Sequence, residues 1–379
     1  MKSSTGQCLE LTLFGESHSA SIGAVLNGMP AGIPVDEAEI DRQMDKRRAK
    51  GNISTKRHEA DRVIIESGIF HGYTTGTPIG LRIENTVQRS KDYEATKFLP
   101  RPSHADYTAF LRYGGYQDYR GGGHFSGRLT APIVAAGAIC MQALARRGIL
   151  IGSHIRTLHT LSDRSFSTDE ALLRGEIAQM NDADIAVLDE AVCAQMIKRM
   201  EDAAKAGDSV GGTVETAIVG LPGGVGEPFF GSVESRLSAF LFSIPAVKGV
   251  IFGDGDQMCA MYGSEANDPF YMKDGKVSTK TNHNGGINGG ITNGMPVRFT
   301  TMIKPTPSIF LLQETVDLQT GEDADLQIHG RHDPAIIHRA RVVVDSAAAI
   351  VLLDLLIERF GPEWVAEPKK EAFSWQNTD

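Results

Sequence analysis

Residues 100–131 carry polar and conformationally special side chains at a density that a packed core would not tolerate. Three consecutive glycines, 121–123, can adopt backbone conformations closed to other residues, so successive amides can converge on a phosphate. The helix predicted to follow them would add the positive end of its dipole. The same stretch supplies positive charge from four arginines: Arg101, Arg112, Arg120 and Arg128. This pattern indicates a site for an anionic ligand.

His104 is a residue of this stretch that could transfer a proton near neutral pH. Ser103, with Asp106 three residues later, forms a capping-box pattern that predicts a helix beginning here with His104 in its first turn. An anion could bind there, because the backbone N–H groups of a first helical turn point outward. The alternative is a glycine-rich surface turn between amphipathic helices, and this stretch by itself leaves both interpretations open.

Three segments of this stretch, RPSHADYT, RYGGYQDYRGGG and SGRLTA, resemble in order the RPGHADYT, KYGxRDYRGGG and SARxTA segments of the chorismate synthase family. Further segments resemble the family elsewhere along the chain: GESH, SIPAVKGVIFGDG, NGGINGGITNG, KPTPS and GRHDP. The resemblance implies an α+β fold, a β-α-β sandwich with antiparallel sheets between helices. No composition shift, charge block or linker marks a boundary, so we expect one large domain over residues 1–379, with 361–379, which matches no family segment, as a peripheral tail.

The resemblance also implies roles for individual residues. Catalytic roles fall on His18, His104 and Asp333. Contacts to the cofactor fall on residues from five segments: His124, Phe125, Ser126, Pro245, Ala246, Gly289, Lys304, Pro305, Thr306, Pro307, Ser308 and Arg331. Contacts to the substrate fall on five arginines: Arg47, Arg48, Arg101, Arg120 and Arg128. The sequence departs from the family at several of these segments, with Ser103 in place of glycine and His124-Phe125 in place of Arg-Ser.

The implied reaction is an anti-1,4-elimination of phosphate from 5-enolpyruvylshikimate 3-phosphate, which gives chorismate. A substrate with a phosphate and two carboxylates needs cations to bind it and to offset charge on the departing phosphate. The resemblance implies reduced FMN as a transient electron donor without net redox change, NADPH as a reductant to be tested, and a homotetramer. An FMN- or anion-binding protein that has lost catalysis is the alternative, and a structural protein with glycine turns is a third.

Composition is that of an ordinary soluble globular chain: 379 residues, 41% hydrophobic, 22% charged, with a net charge of −9. These values argue against nucleic acid as a partner. Four scattered cysteines without a CxxC pair favour a reducing compartment. No apolar segment follows Lys2 as in a signal peptide, and apolar stretches 133–145 and 347–357 are too short or interrupted to span a bilayer. We therefore expect a cytoplasmic protein without a membrane partner.

The elements that must position these side chains follow from local patterns. Residues 9–14 read as a strand that delivers His18 just beyond its end, and by itself such a histidine is more often structural. A helix over 36–48 has an acidic start and a basic end, so Arg47 and Arg48 could merely compensate its dipole. Pro132 places the start of the next apolar helix near residue 130. Strands are predicted over 62–68, 210–220 and 297–302, and helices over 188–205 and 340–360, the last apolar along one face. No P-loop, Rossmann fingerprint or metal-ligand cluster appears.

Overall fold

The computed structural model describes residues 2–48, 53, 61–86, 94, 96–328 and 333–366. The strands, in chain order, are β1 (Ser4–Thr5), β2 (Glu10–Gly15), β3 (Ser21–Asn27), β4 (Val63–Ser67), β5 (Ile69–Phe70), β6 (Tyr73–Thr74), β7 (Ile79–Glu84), β8 (Leu150–Leu158), β9 (Leu161–Ser162), β10 (Gly212–Val219), β11 (Val247–Phe252), β12 (Phe270–Lys273), β13 (Lys276–Thr279), β14 (Ile287–Asn288), β15 (Ile291–Thr292), β16 (Val297–Ile303), β17 (Gln313–Val316) and β18 (Asp323–Leu326). The helices are α1 (Glu37–Arg47), α2 (Asp106–Tyr113), α3 (Thr130–Ala145), α4 (Glu170–Asp182), α5 (Glu190–Ala206), α6 (Val233–Leu241), α7 (Gly255–Met258), α8 (Gly263–Ala266), α9 (Ile337–Phe360) and α10 (Pro362–Ala366).

Two antiparallel five-stranded sheets enclose a layer of helices. The first sheet has the strand order β1-β2-β3-β7-β4, and the second has the order β11-β16-β10-β8-β9. Between them α3 packs on α9, with α3 against β3 and β7 and α9 against β8 and β10. Because alternate residues of β10 face opposite sides, Ala217 and Val219 meet α4 on the outer face while Ile218 joins the central core. The α+β class and the layered sandwich are thus confirmed.

The sequence pattern predicted that helix α9 is apolar along one face. The structure instead buries this helix on every side. All residues from 341 to 357 are buried, because the helix lies between the two sheets and against α1, α3 and α6. Its buried Asp354 accepts hydrogen bonds from the backbone N–H groups of Gln7, Cys8 and Leu9, at 3.0, 2.7 and 2.8 Å. This carboxylate anchors the chain just before β2, the strand that leads to His18.

Most helix boundaries agree with their sequence signals. Helix α1 is capped by Asp36, whose side chain accepts from the N–H of Ala38, and α3 begins at Thr130 as Pro132 required. In the described residues one helical segment, Gly127–Ala145, is long and apolar enough to cross a membrane. Its most apolar window is 83% buried inside the fold, as in a core helix. The expectation of a peripheral tail is wrong for residues 362–366, because α10 buries Val365 in the central core.

The capping box predicted at Ser103 is wrong. Helix α2 begins at Asp106 with Ala105 at its cap position and no side-chain cap, so His104 precedes the helix. Ser103 has a φ of +58°, in the left-handed region that favours glycine. Asp106 does not cap an N–H of the helix; its carboxylate turns back to accept from the backbone N–H of Arg101 at 3.0 Å. The tight turn that brings Arg101 back to Asp106 explains why the local capping pattern failed.

Substituting glycine for Ser103 should stabilise the protein. A non-glycine residue at positive φ destabilises the folded state by about 1–2 kcal/mol, and glycine removes this strain. Glycine also makes the unfolded chain more flexible, which offsets roughly 0.5–1 kcal/mol of that gain. We therefore expect Ser103→Gly to raise the free energy of unfolding by about 0.5–1 kcal/mol in denaturant titrations. Ser103→Ala is the matched control, since it keeps Cβ and the exposed position loses only a hydroxyl. A glycine variant less stable than the alanine variant would contradict strain at this residue.

Candidate active site

A cleft of about 1170 Å³ opens between β1, the 101–130 segment, residues 239–248, residues 304–308 and the start of α9. Its described lining includes eight lysines and arginines: Lys2, Arg47, Arg48, Arg101, Arg128, Lys248, Lys304 and Arg339. Two carboxylates, Asp61 and Asp333, line it as well, and His104 and His124 add imidazoles. In a protein with a net charge of −9, this excess of cations marks the cleft as a site for an anionic ligand.

The triple glycine holds two histidines against one turn. Gly121, Gly122 and Gly123 all have positive φ, at 60°, 86° and 54°. A methyl group on Gly121 would lie 2.5 Å from Cε1 of His18, and one on Gly122 would lie 2.9 Å from Cε1 of His104. Glycine is required at both positions for conformation and for space. The turn thus brings together two histidines that are distant in sequence.

His18 is held behind this turn. It is 5% exposed and is not among the described residues that line the cleft, although its neighbours Ser17 and Gly121 are. The N–H of Ser17 donates to the carbonyl oxygen of Gly123 at 3.0 Å, which ties the segment after β2 to the glycine turn. His18 is thus held next to Gly121 and Ser17, two residues that line the cleft.

Asp106 holds both Arg101 and His104. Its Oδ2 accepts from Nε of Arg101 at 2.7 Å, and its Oδ1 accepts from Nη2 of Arg101 and from Nδ1 of His104, each at 2.8 Å. Burial opposes ionisation of Asp106, but the hydrogen bonds from Arg101 and His104 outweigh it and hold the pKa of this carboxyl below its usual range. The Asp106 side chain is therefore a permanent anion beside the cleft.

Asp61 bridges two of the predicted substrate arginines. Its Oδ2 accepts from Nη1 of Arg47 at 3.0 Å, and its Oδ1 accepts a hydrogen bond from Nη1 of Arg128. All three side chains are at most 6% exposed. Arg47 also donates from Nε to the hydroxyl of Thr130 at 3.0 Å and from Nη2 to the carbonyl oxygen of Gly127 at 2.9 Å. Arg47 thus links α1 to the start of α3, and much of its guanidinium group is hydrogen-bonded to other groups of the protein.

Asp333 also lines the cleft and is paired with Arg339. Arg339 also donates from Nε to the carbonyl oxygen of Arg47 at 2.7 Å, which links the start of α9 to the end of α1. Lys304 donates to the carbonyl oxygen of Ser103 at 2.6 Å. Partial burial and the nearby charge of Lys248 lower the pKa of the Lys304 ammonium. These contacts bring residues from four distant segments to one site.

His124 uses both ring nitrogens on the N-terminal part of the chain. Its Nδ1 donates to the carbonyl oxygen of Gly15 at 2.8 Å, and its Nε2 lies 3.2 Å from the hydroxyl of Ser3, which can donate to it. Phe125, beside it, leans on Tyr113 with ring centroids 6.2 Å apart and remains 38% exposed. His124 and Phe125, the two residues that depart from the family motif, therefore form a wall of the cleft together with residues at β1 and β2.

Most residues expected at the site line the cleft. Those that do are His104, Asp333, His124, Phe125, Ser126, Pro245, Ala246, Lys304, Thr306, Pro307, Ser308, Arg47, Arg48, Arg101 and Arg128. Arg120 is not among the described lining residues. It forms a two-pronged pair with Asp118, at 2.8 Å for both contacts. Gly289 lies in the β14–β15 hairpin and Pro305 packs near Gly211, and neither is among the described lining residues. Arg331 falls outside the described residues.

Sequence reasoning missed the carboxylates that organise the cations. Asp106 was assigned to a helix cap, while Asp61 and Arg339 were not singled out. The signal for Asp106 was present, since an acidic residue close to both Arg101 and His104 can pair with either. No local pattern marks Asp61, whose partners are 14 and 67 residues away.

Comparisons with known proteins show what the whole chain is similar to. The family model described as chorismate synthase matches residues 9–357. A chorismate synthase of Pyrococcus abyssi is 45% identical over 354 residues, covering 93% of this chain and 97% of the relative. One of Methanosarcina barkeri is 43% identical over 353 residues, covering 93% and 95%. A solved structure, "Crystal Structure of Chorismate Synthase", superposes with a TM-score of 0.75 at 27% identity and covers 94% of both chains.

Proposed function

The chain belongs to the chorismate synthase family, and we propose that its cation-rich cleft is the active site that binds reduced FMN and 5-enolpyruvylshikimate 3-phosphate. The chain is a lyase that acts on this small-molecule substrate, from which phosphate leaves by anti-1,4-elimination to give chorismate. The placement of His18 and His104 against consecutive glycines, at a cleft lined by eight lysines and arginines, carries the proposal.

The described lining fits anionic, phosphate-bearing ligands. Arginine forks and ammonium groups bind phosphate and carboxylate, and the hydroxyls of Ser126, Thr306 and Ser308 add neutral donors at the same cleft. We assign the cofactor to the wall formed by residues 124–126, 245–246 and 304–308. When bound, reduced FMN would lend an electron to the substrate and recover it, so that the elimination leaves no net redox change.

The residues of this chain would bind the anions and manage protons. Arg101 and Arg128 stabilise the negative charge that develops on the departing phosphate, in a cleft where low dielectric strengthens such contacts. His104 presents Nε2 as a proton donor toward the flavin or the phosphate, and His18 acts as the second acid toward the flavin. Asp333 steers the proton that the substrate loses, with Arg339 holding its carboxylate in place.

Three further properties belong to this proposal. NADPH is proposed as a reductant of the bound FMN, the assembly as a homotetramer, and the compartment as the cytoplasm. Analytical ultracentrifugation tests the assembly, and anaerobic oxidation of NADPH in the presence of FMN tests the reductase activity.

Phosphate release should require reduced FMN although the flavin is not consumed. We expect turnover of 5-enolpyruvylshikimate 3-phosphate with photoreduced FMN under anaerobic conditions, and none with oxidised FMN or without flavin. Each FMN should support many turnovers, since the electron returns to it. The measurements are phosphate by a colorimetric assay and chorismate by its ultraviolet absorbance. Phosphate release in air without any flavin would refute the assigned chemistry, and tight FMN binding without turnover would point to a binding protein.

A further inference from the structure

We propose that Asp106 is a positioning residue that fixes the proton of His104 on Nδ1 and thereby makes Nε2 the ring atom that works in the cleft. This inference rests on the proposed role of His104 as an acid. It concerns a carboxylate that is not itself a lining residue among those described, and that acts on the cleft only through its two neighbours.

The contacts of the Asp106 carboxylate determine the tautomer of His104. An ionised carboxylate only accepts hydrogen bonds, so the 2.8 Å contact between its Oδ1 and His104 Nδ1 requires a proton on Nδ1. Arg101 Nη2 lies 3.1 Å from the same Nδ1, but its N–H groups can donate to Oδ1 at 2.8 Å instead. In neutral His104 the lone pair is therefore on Nε2.

The surroundings leave Nε2 available. The His104 side chain is 17% exposed, and its Cε1–Nε2 edge lies against Gly122, where a methyl group would be 2.9 Å from Cε1 and 3.4 Å from Nε2. The charged groups that the structure places beside the ring are Arg101 and Asp106 from its own segment and Lys304, which binds the adjacent Ser103 carbonyl. The positive charges of Arg101 and Lys304 are thus offset by the carboxylate of Asp106, which contacts Nδ1 and leaves Nε2 alone.

The same carboxylate also orients Arg101. Its Oδ2 accepts from both the backbone N–H and Nε of Arg101, at 3.0 and 2.7 Å, and Arg101 Nη1 lies 3.3 Å from the hydroxyl of Ser308 in the cleft. One half-buried anion thereby sets an acid and a phosphate-binding cation in fixed relation. In other aspartate–histidine pairs, such a carboxylate holds the imidazole in one tautomer and one orientation.

Asp106→Asn should reverse the tautomer. Arg101 can only donate, so the amide oxygen should turn to its Nε and backbone N–H, which leaves the NH2 group facing His104 Nδ1. Nδ1 must then accept, and the ring proton moves to Nε2. An Nε2–H ring cannot accept a proton there in the next cycle, so kcat should fall about 10-fold or more. KM should change less, since Arg101 keeps an acceptor.

The test is a two-bond 1H–15N NMR correlation on protein labelled with 15N-histidine, at alkaline pH and without ligand, with His104→Gln used to assign the signal. We expect an Nδ1–H pattern in the wild type and in Asp106→Glu, and an Nε2–H pattern in Asp106→Asn. Steady-state kinetics on the same proteins with reduced FMN should show the loss of kcat in Asp106→Asn and its partial recovery in Asp106→Glu. Asp202→Asn is the matched control, because it removes a carboxylate that pairs with Lys198 and Lys205 on exposed α5.

Each outcome decides between the two claims. An unchanged tautomer in folded Asp106→Asn, or an Nε2–H wild-type ring, would overturn the role of Asp106. A reversed tautomer with unchanged turnover would support the positioning by Asp106 and remove His104 from the chemistry. If Asp106→Asn fails to fold by circular dichroism, the wild-type spectrum decides alone.

Discussion

Turnover should fall about 100-fold or more in His104→Ala, while the fold and FMN binding are retained. His104 lines the cleft, is hydrogen-bonded to Asp106 and packs against Gly122. Its replacement by alanine removes a proton donor, while the arginines of the cleft, which can bind anions at all pH values, stay in place. The loss should therefore appear mainly in kcat under saturating reduced FMN and substrate. Stopped-flow mixing with reduced FMN, followed by chorismate absorbance, measures it in a single turnover.

The matched control for this variant is His159→Asn. His159 is an exposed histidine with a φ of +52° at the end of β8, and asparagine tolerates that conformation. This control should keep wild-type turnover. Near-normal turnover in His104→Ala, with FMN saturating and an unchanged circular dichroism spectrum, would reduce the glycine turn and its histidine to a binding loop.

The second large effect is expected on stability, from a charge cluster at the second sheet whose members are not among the described lining residues of the cleft. His154 is fully buried, with Nδ1 3.1 Å from Asp163 Oδ2 and Nε2 2.8 Å from Glu215 Oε2. Glu215 is also paired with Arg298. With a carboxylate at each nitrogen, both must carry protons, so the ring is an imidazolium within a cluster of two cations and two anions. Replacing His154 by leucine removes the cation between two buried carboxylates and leaves Arg298 beside only one of them, Glu215, so we expect a loss of about 3–5 kcal/mol.

The pH dependence of stability should identify the source of that loss. Burial lowers the pKa of His154, but the hydrogen bonds to Asp163 and Glu215 outweigh it and raise the pKa above its ordinary 6.5. The contribution of this raised pKa is fully present below pH 6.5 and is lost as pH rises through the folded value. At Glu215, burial is likewise outweighed by the contacts to His154 and Arg298, which lower the pKa to about 2, so its contribution is lost only as pH falls toward that value.

Urea unfolding midpoints of the wild type should therefore decline as pH rises from neutral into the alkaline range, and His154→Leu should lack that part of the slope. His71→Asn is a matched control, because His71 is exposed and sits at a φ of +49°. Parallel pH profiles for wild type and His154→Leu would show that the ring is not charged in the folded protein.

Local sequence determined the elements and the family of this protein. Pro132 set the start of α3, Asp36 capped α1, and alternating apolar residues placed β2, β10 and β16 within one or two residues of their bounds. Such signals are local because a cap, a proline ring or a strand period acts on neighbouring backbone. Ordered motifs also identified candidate site residues, and most of these line the cleft.

Only the tertiary structure decided which anion holds which cation. Asp61 pairs with Arg47 and Arg128, which are 14 and 67 residues away in the chain. Asp106 was predicted in a helix cap but binds Arg101 and His104 instead, because the chain bends back at Ser103. The glycine triplet was predicted to shape a phosphate loop, whereas its packing shows that it makes room for two histidine rings. A buried cation pairs with the carboxylate that the fold places beside it. Which carboxylate that is depends on packing between distant segments, and no local sequence pattern predicts such packing.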